Sequence, residues 1–166
     1  MRLRSLRQQG AIWLGFVLLA LTAGAGAAGP SAPDPQEERL AAGEVLIRPA
    51  APPAETGHGY RLLYVVPVPI EVFWRFKTDF ANTWVLTNRF ITAHRLVARD
   101  ERRAVTEAHY SHRPGAVFRW ETLLIPERRR LEFRLVNPAE CGQRFNHGAI
   151  QLSPLGGSTR VEHTAY

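Results

Sequence analysis

The stretch VPVPIEVFWRFKTDF, residues 66–80, contains the end of one predicted strand and the whole of the helix that follows it. Residues 61–68 are rich in β-branched and aromatic side chains, which favours a strand. Pro67 and Pro69 end this strand because proline has no backbone donor, and Pro69 suits the first turn of a helix. From residue 70 to residue 80, apolar side chains at helical spacing cover more than half of the helix surface. We therefore expect a helix that packs against a sheet.

The remaining elements follow from the same patterns. Residues 81–90 predict a second short helix or helical turn, with Asn82 as its N-cap. Beyond residue 90 the sequence changes to short alternating runs separated by Gly, Pro and charged turns, which is typical of an antiparallel meander with one solvated face. The six predicted strands are residues 91–99, 104–112, 117–125, 130–136, 145–152 and 158–166. One strand, two short helices and six further strands predict an α+β fold.

Residues 66–80 resemble the first strand and helix of the SRPBCC superfamily, whose members have the START-like, or helix-grip, fold. Pro69, Glu71, the pair Phe73-Trp74 and Asp79 match in kind the segment that joins these two elements in START lipid-transfer domains, polyketide cyclase/dehydrase-like proteins and coenzyme Q-binding proteins. The resemblance covers residues 60–166. It implies a sheet wrapped against helices with an apolar cavity between them.

The sequence departs from this superfamily at one end. Its members finish with a long C-terminal helix that lies across the sheet, whereas no residues follow the last predicted strand here, which ends at Tyr166. We expect that the domain of residues 60–166 is truncated at its C-terminus. The alternative is that something other than a C-terminal helix caps the cavity.

The N-terminal residues 1–28 have the three parts of a secretory signal. Three arginines lie within the first nine residues, an apolar run follows at residues 11–21, and Ala25-Gly26-Ala27 offers a cleavage site. The alternative is a retained inner-membrane anchor formed by residues 10–28. Either way we expect an exported protein, periplasmic or anchored and facing outward. Residues 29–59 are predicted to be a linker with a short lead-in segment.

Composition narrows the classes of function. The chain has 166 residues, 45% of them hydrophobic, which fits one domain with a packed core. The net charge of +6 falls to +3 without the three signal arginines, because 18 basic residues then face 15 acidic ones. The remaining arginines are scattered through predicted strands, so no nucleic-acid partner is expected. The single cysteine, Cys141, excludes an internal disulfide.

The implied cavity indicates a small hydrophobic ligand of the lipid, quinone or polycyclic aromatic type, and no cofactor. Large apolar side chains on alternating strand positions, together with one from the helix, are its candidate ligand-binding residues: Trp74, Phe118, Trp120, Phe133, Leu135, Ile150 and Leu152. Each of them also fits an ordinary core position. Lys77 shares a helix face with Trp74, which leaves a role in the cavity open. The sequence predicts no oligomeric state.

No catalytic motif and no metal site are predicted. His109 and His112 lie three apart on a predicted strand and should point to opposite faces, so both cannot easily bind one ion. Two alternatives to ligand carriage stay open. One is a cyclase- or dehydratase-like enzyme acting on an aromatic or polyketide substrate, with His109 or His163 and a carboxylate as acid and base. The other is an envelope module that docks a partner protein.

Overall fold

The computed structural model describes residues 34–52 and 56–166. Within them, the main elements are two α-helices and eight strands. The helices are α1 (Pro35–Ala41) and α2 (Ile70–Thr78). The strands are β1 (Leu46–Ala50), β2 (Gly59–Val66), β3 (Ile91–Arg99), β4 (Arg103–Tyr110), β5 (Val117–Ile125), β6 (Arg130–Leu135), β7 (His147–Leu155) and β8 (Ser158–Ala165). Three short 3₁₀ helices occur in the connections, at Thr83–Thr87, Pro126–Arg128 and Ala139–Cys141.

All eight strands form one antiparallel sheet in the order β1-β2-β8-β7-β6-β5-β4-β3. Strands β3 to β8 are the meander predicted from the sequence, and each pairs with the next. Strand β2 joins the sheet beside β8, with Tyr60 opposite Ala165 and Val66 opposite Thr159. The α+β, START-like fold class predicted from the sequence is confirmed.

Helix α2 follows β2 directly and has charges suited to its ends. Pro69 occupies the N-cap, Glu71 lies in the first turn, and Arg75 and Lys77 lie in the last turn, where cations favour the helix dipole. The hydroxyl of Thr78 donates to the Trp74 carbonyl at 2.9 Å and satisfies a carbonyl at the helix end. The helix buries Phe73 and Trp74 against the sheet, as the apolar spacing predicts.

We call the sheet face that carries α2 the inner face and the opposite face the outer face. The largest core cluster lies between α2 and the inner face and contains Phe73, Trp74, Ala104, Leu124, Leu131, Leu152 and Val161. A smaller cluster of Phe118, Leu135 and Cys141 lies beside it. Strict alternation along each strand sends neighbouring residues to opposite faces.

The lead-in segment adds structure on the outer face. Leu40 of α1, Leu46 of β1 and Leu63 of β2 form a third buried cluster. Glu37 of α1 forms an ion pair with Arg160 of β8. Residues 35–50 thus contribute a helix and the edge strand of the sheet.

The structure defines two elements more closely than the prediction. Residues 81–90, predicted as a second short helix or helical turn, contain the 3₁₀ helix Thr83–Thr87, and Asn82 caps it, since its Oδ1 accepts from Trp84 N at 2.9 Å. Strand β1 lies within the segment predicted as a linker with a short lead-in, and it pairs with β2 from Leu46 to Ala50. Pairing of this kind depends on a partner strand, which local sequence does not show.

Candidate functional site

A cavity of about 560 Å³ lies between the inner face, the C-terminal half of α2 and the 3₁₀ helix Thr83–Thr87. This volume is typical of small-molecule sites. The side chains that line it and matter below are Lys77, Trp84, Tyr110, Phe118, Trp120, Thr122, Phe133, Gln143, Ile150 and His163.

The wall of the cavity is mainly aromatic. The Tyr110 and Phe118 rings meet edge to face at a centroid distance of 4.7 Å, and the Trp120 and Phe133 rings at 6.0 Å. Phe133 also meets the His163 ring at 5.5 Å, again edge to face. These contacts join strands β4, β5, β6 and β8 into one continuous surface. Such a surface suits a flat or flexible apolar molecule.

Two polar atoms in this wall have no hydrogen-bond partner among the described residues. The indole Nε1 of Trp120 and the side-chain oxygen of Gln143 are fully buried and make no hydrogen bond that meets the usual distance and angle. The Tyr110 hydroxyl is close enough for the indole to lower its pKa, but burial is the larger effect and raises that pKa. Buried polar groups are normally satisfied, so these two atoms indicate a missing partner.

Lys77 is the polar group that α2 contributes to the cavity. Its Nζ lies 5.2 Å from the centre of the Trp84 ring, a cation–π distance. Burial lowers the pKa of Lys77, and no carboxylate among the described residues offsets this effect. The Asp79 carboxylate also lines the cavity, but it is exposed and accepts from Asn82 Nδ2 at 3.2 Å.

His163 of β8 faces the same space. Burial, and to a smaller extent the positive charge of Lys77, lowers its pKa from 6.5 to about 4. Its ring also contacts Tyr60, at a centroid distance of 6.0 Å. His163 is therefore a neutral imidazole at physiological pH.

This shift gives the protein a testable acid response. Between the folded pKa of about 4 and the unfolded value of 6.5, only the unfolded chain binds the His163 proton, so the free energy of unfolding falls as the pH drops through this range. Across this range the wild type should lose no more than about 3 kcal/mol of its free energy of unfolding through His163, and His163→Gln should remove this loss. Urea unfolding at several pH values should show the stability difference between wild type and variant changing between about pH 6.5 and pH 4 and staying constant on either side of this range. A difference that does not change with pH would contradict the buried, neutral state.

The seven residues predicted to bind ligand fall into two groups. Phe118, Trp120, Phe133 and Ile150 line the cavity. Trp74 and Leu152 lie in the largest core cluster, and Leu135 lies in the smaller one beside Phe118. The structure thus brings four of them together around the cavity and places three in the core. Ligand binding by any of the seven stays a prediction.

The histidines named for acid–base chemistry are separated. His109 belongs to the outer face of β4, since its neighbours Ala108 and Tyr110 line the cavity, whereas His163 lies inside. His112 also lines the cavity, so it does not share a face with His109. Among the described residues, no group of three His, Cys, Asp or Glu side chains could hold a metal ion.

The strand carboxylates lie on the outer face and are paired with arginines. Glu107 binds Arg119 and Arg95 at 2.8 and 2.5 Å, and Glu121 binds Arg103 and Arg134, each at 2.5 Å. The arginines hold the pKa of both carboxyls below the usual range. Only 4% of Glu107 and 7% of Glu121 is exposed, because the arginine side chains cover them on the sheet surface. Neither carboxylate can reach a ligand in the cavity.

Several cavity residues were not predicted as ligand contacts. Tyr110 could have been found, because it alternates with Ala108 on β4 and so shares the face of Phe118. Trp84 and Gln143 lie in connections between elements, where spacing does not tell which way a side chain points.

Comparison with solved structures supports the architecture. A STAR-related lipid transfer protein from Xanthomonas axonopodis superposes with a TM-score of 0.56 at 11% identity, over 74% of this chain and 75% of that one. The Zhui aromatase/cyclase from Streptomyces sp. R1128 superposes with a TM-score of 0.53 at 16% identity, over 64% of this chain and 65% of that one. The fold is START-like.

A START superfamily protein from Mycobacterium smegmatis shares the same START-like fold, with a TM-score of 0.50, 17% identity and coverage of 66% of this chain and 75% of that one. No protein-family model matches the sequence, and no curated protein matches it either. At these identities the likeness concerns the START-like fold alone.

The predicted signal or anchor of residues 1–28 lies outside the described residues. In the described part of the chain, neither helix has the length and apolar character needed to cross a membrane.

Proposed function

We propose that the protein binds and carries a small, largely apolar molecule in the cavity between α2 and the inner face, without bond chemistry. The observation that carries this proposal is the aromatic cavity of about 560 Å³ with two buried polar atoms in its wall that lack partners. A fully filled core would leave neither.

The unpartnered atoms support a ligand with at least one polar group. Leaving a buried donor or acceptor unsatisfied costs about 1–3 kcal/mol per group. Trp120 Nε1 can only donate, and the Gln143 side-chain oxygen accepts. A ligand acceptor would suit the first atom and a ligand donor the second. The aromatic surfaces of Phe118 and Phe133 would hold the apolar part of the molecule.

Export is part of the proposal and rests on the sequence of residues 1–28. An exported carrier of an apolar molecule would act in the envelope, where such a molecule must cross water between membranes. The START-like architecture is compatible with this use.

The cavity can be tested with N-phenyl-1-naphthylamine, an uncharged dye that fluoresces in apolar surroundings. Thr122 faces the cavity from β5, and its neighbour Leu123 faces outward and is 44% exposed. We expect Thr122→Trp to fill the cavity and weaken dye binding about tenfold or more, equal to about 1.4 kcal/mol. The matched control Leu123→Trp should stay within about twofold of the wild type, as surface substitutions usually do.

Circular dichroism of both variants would show that they fold. The proposal fails if the wild type shows no saturable dye signal, or if a folded Thr122→Trp variant binds the dye as well as Leu123→Trp does.

An enzymatic role is a second candidate, favoured by one observation. His163 is a neutral base inside the cavity, beside the cation of Lys77. A cyclase- or dehydratase-like mechanism also needs a carboxylate or a comparable acid, and the cavity-lining Asp79 is exposed and bonded to Asn82. Carriage therefore has the broader support. A protein-docking module has less, because it requires a filled core.

A further inference from the structure

Among the described residues, Lys77 is the one partly buried lysine or arginine for which no ion pair is seen. It is the only lysine in the chain. Partly buried arginines such as Arg129, Arg130 and Arg160 each pair with a carboxylate. Lys77 has no such pair, although it is partly buried and lines the cavity. A cation withdrawn from water without a partner destabilises the fold, so its position needs another explanation.

The neighbours of Lys77 favour the charged form without neutralising it. The Trp84 ring lies 5.2 Å from Nζ and can stabilise a cation through its face. The last turn of α2 places Lys77 near the negative end of the helix dipole. His163 feels the charge of Lys77, because that charge helps to lower the histidine pKa. Asp79 is exposed at the rim and bonds to Asn82.

The positions of these side chains therefore leave one ammonium and one neutral imidazole lining the same cavity. Both can donate hydrogen bonds to an oxygen anion, and a charge-assisted bond of this kind is stronger than one between neutral groups. The single positive charge of Lys77 would be balanced by a single negative charge on the ligand. The cavity wall that β5 and β6 form with Phe118, Trp120 and Phe133 is aromatic and would bind an apolar body.

We propose that the ligand is an apolar molecule with one anionic head group, of the carboxylate type, seated against Lys77 and His163. This inference rests on the proposed function and names the chemical class of its ligand. A phosphate monoester would offer the same oxygen-anion chemistry, and the experiment separates the two sources.

Displacement of N-phenyl-1-naphthylamine at pH 7.5 by three probes tests the charge requirement. The probes are 2-naphthoate, its uncharged methyl ester and 2-naphthyl phosphate, which share one ring system. In the wild type we expect naphthoate to displace the dye at about tenfold lower concentration than the ester. Tighter, Lys77-dependent binding of the phosphate would support the same inference and identify phosphate as the head group.

Lys77→Met should abolish the preference for the anion, so that naphthoate and its methyl ester displace the dye at similar concentrations. Arg75→Met is the matched control, because Arg75 lies in the same last helical turn but is exposed to solvent. It removes the same formal charge and should leave the preference intact. Lys77→Arg should retain part of the preference, since the charge remains but the larger, planar head group fits differently.

Thermal unfolding of the ligand-free protein gives a readout that does not depend on any ligand. Because no carboxylate among the described residues offsets the burial of the Lys77 cation, Lys77→Met should raise Tm by about 2–6 °C, whereas Arg75→Met should leave it nearly unchanged. A lowered Tm would indicate that Lys77 serves the fold and would overturn the inference.

The other outcomes separate the two proposals. If the wild type binds the dye but is displaced equally by naphthoate and its ester, the anionic head group is wrong and the apolar cavity stands. If Arg75→Met abolishes the preference as fully as Lys77→Met does, general surface charge explains it and the inference falls. If the wild type does not bind the dye, both proposals fall.

Discussion

Leu152→Ala is expected to lower the free energy of unfolding by about 2–5 kcal/mol while leaving dye affinity within about twofold of the wild type. Leu152 is 2% exposed and lies in the largest core cluster, under Phe73 and Trp74 of α2. Removing its isobutyl group leaves a void that the surrounding side chains fill only in part. Urea unfolding with dye titration on the same sample would measure both quantities.

Phe133→Ala is the matched comparison, because Phe133 lies on the same sheet face but lines the cavity. Its truncation should weaken dye binding, since a ring that forms the cavity wall is lost. If Leu152→Ala weakens the dye as much as Phe133→Ala while remaining folded, the division between core and cavity described above is wrong.

Gly148→Ala is expected to destabilise the protein by about 3 kcal/mol or more, at the upper end of what overpacking usually costs. A Cβ at position 148 would lie 2.0 Å from the Thr164 carbonyl oxygen and 2.7 Å from the ring of Phe133. The first of these atoms belongs to the backbone of β8 and cannot move without breaking the ladder. Thermal or urea unfolding would give the value.

The same substitution at Gly157 is its control. No atom lies within 4 Å of a Cβ there, and Gly157 does not adopt a positive φ. Gly157→Ala should therefore be neutral or slightly stabilising, because alanine reduces the freedom of the unfolded chain. Equal losses at both positions would show that flexibility, rather than close approach of strands β6, β7 and β8, explains the glycine at 148.

Local sequence determined the elements of this fold for identifiable reasons. The prolines at 67 and 69 end β2 and begin α2, and the helical spacing of Phe73 and Trp74 turns one side of α2 to the sheet. Alternation along β5 and β6 places Phe118, Trp120 and Phe133 on one face, since a strand has a period of two. These patterns depend only on residues that are close in the chain.

For the inner-face residues of β7, the position of α2 decides which is core and which is cavity. Ile150 and Leu152 lie two residues apart on the same face of β7, yet Ile150 lines the cavity and Leu152 is covered by the helix. The same boundary separates Trp74 from Lys77, one turn apart on α2. Periodicity places both members of each pair on the same face. It therefore could not separate the four predicted ligand-binding residues that line the cavity from the three that lie in the core.

The predicted strand and helix of residues 66–80 thus came from the sequence alone, because proline geometry and apolar spacing act over a few residues. Only the tertiary structure decided what that helix does. Its earlier part packs Phe73 and Trp74 into the core. Its last turn places Lys77 in the cavity that His163 also lines. The two residues line one cavity although they are 86 positions apart in the sequence, a distance over which no local pattern carries information.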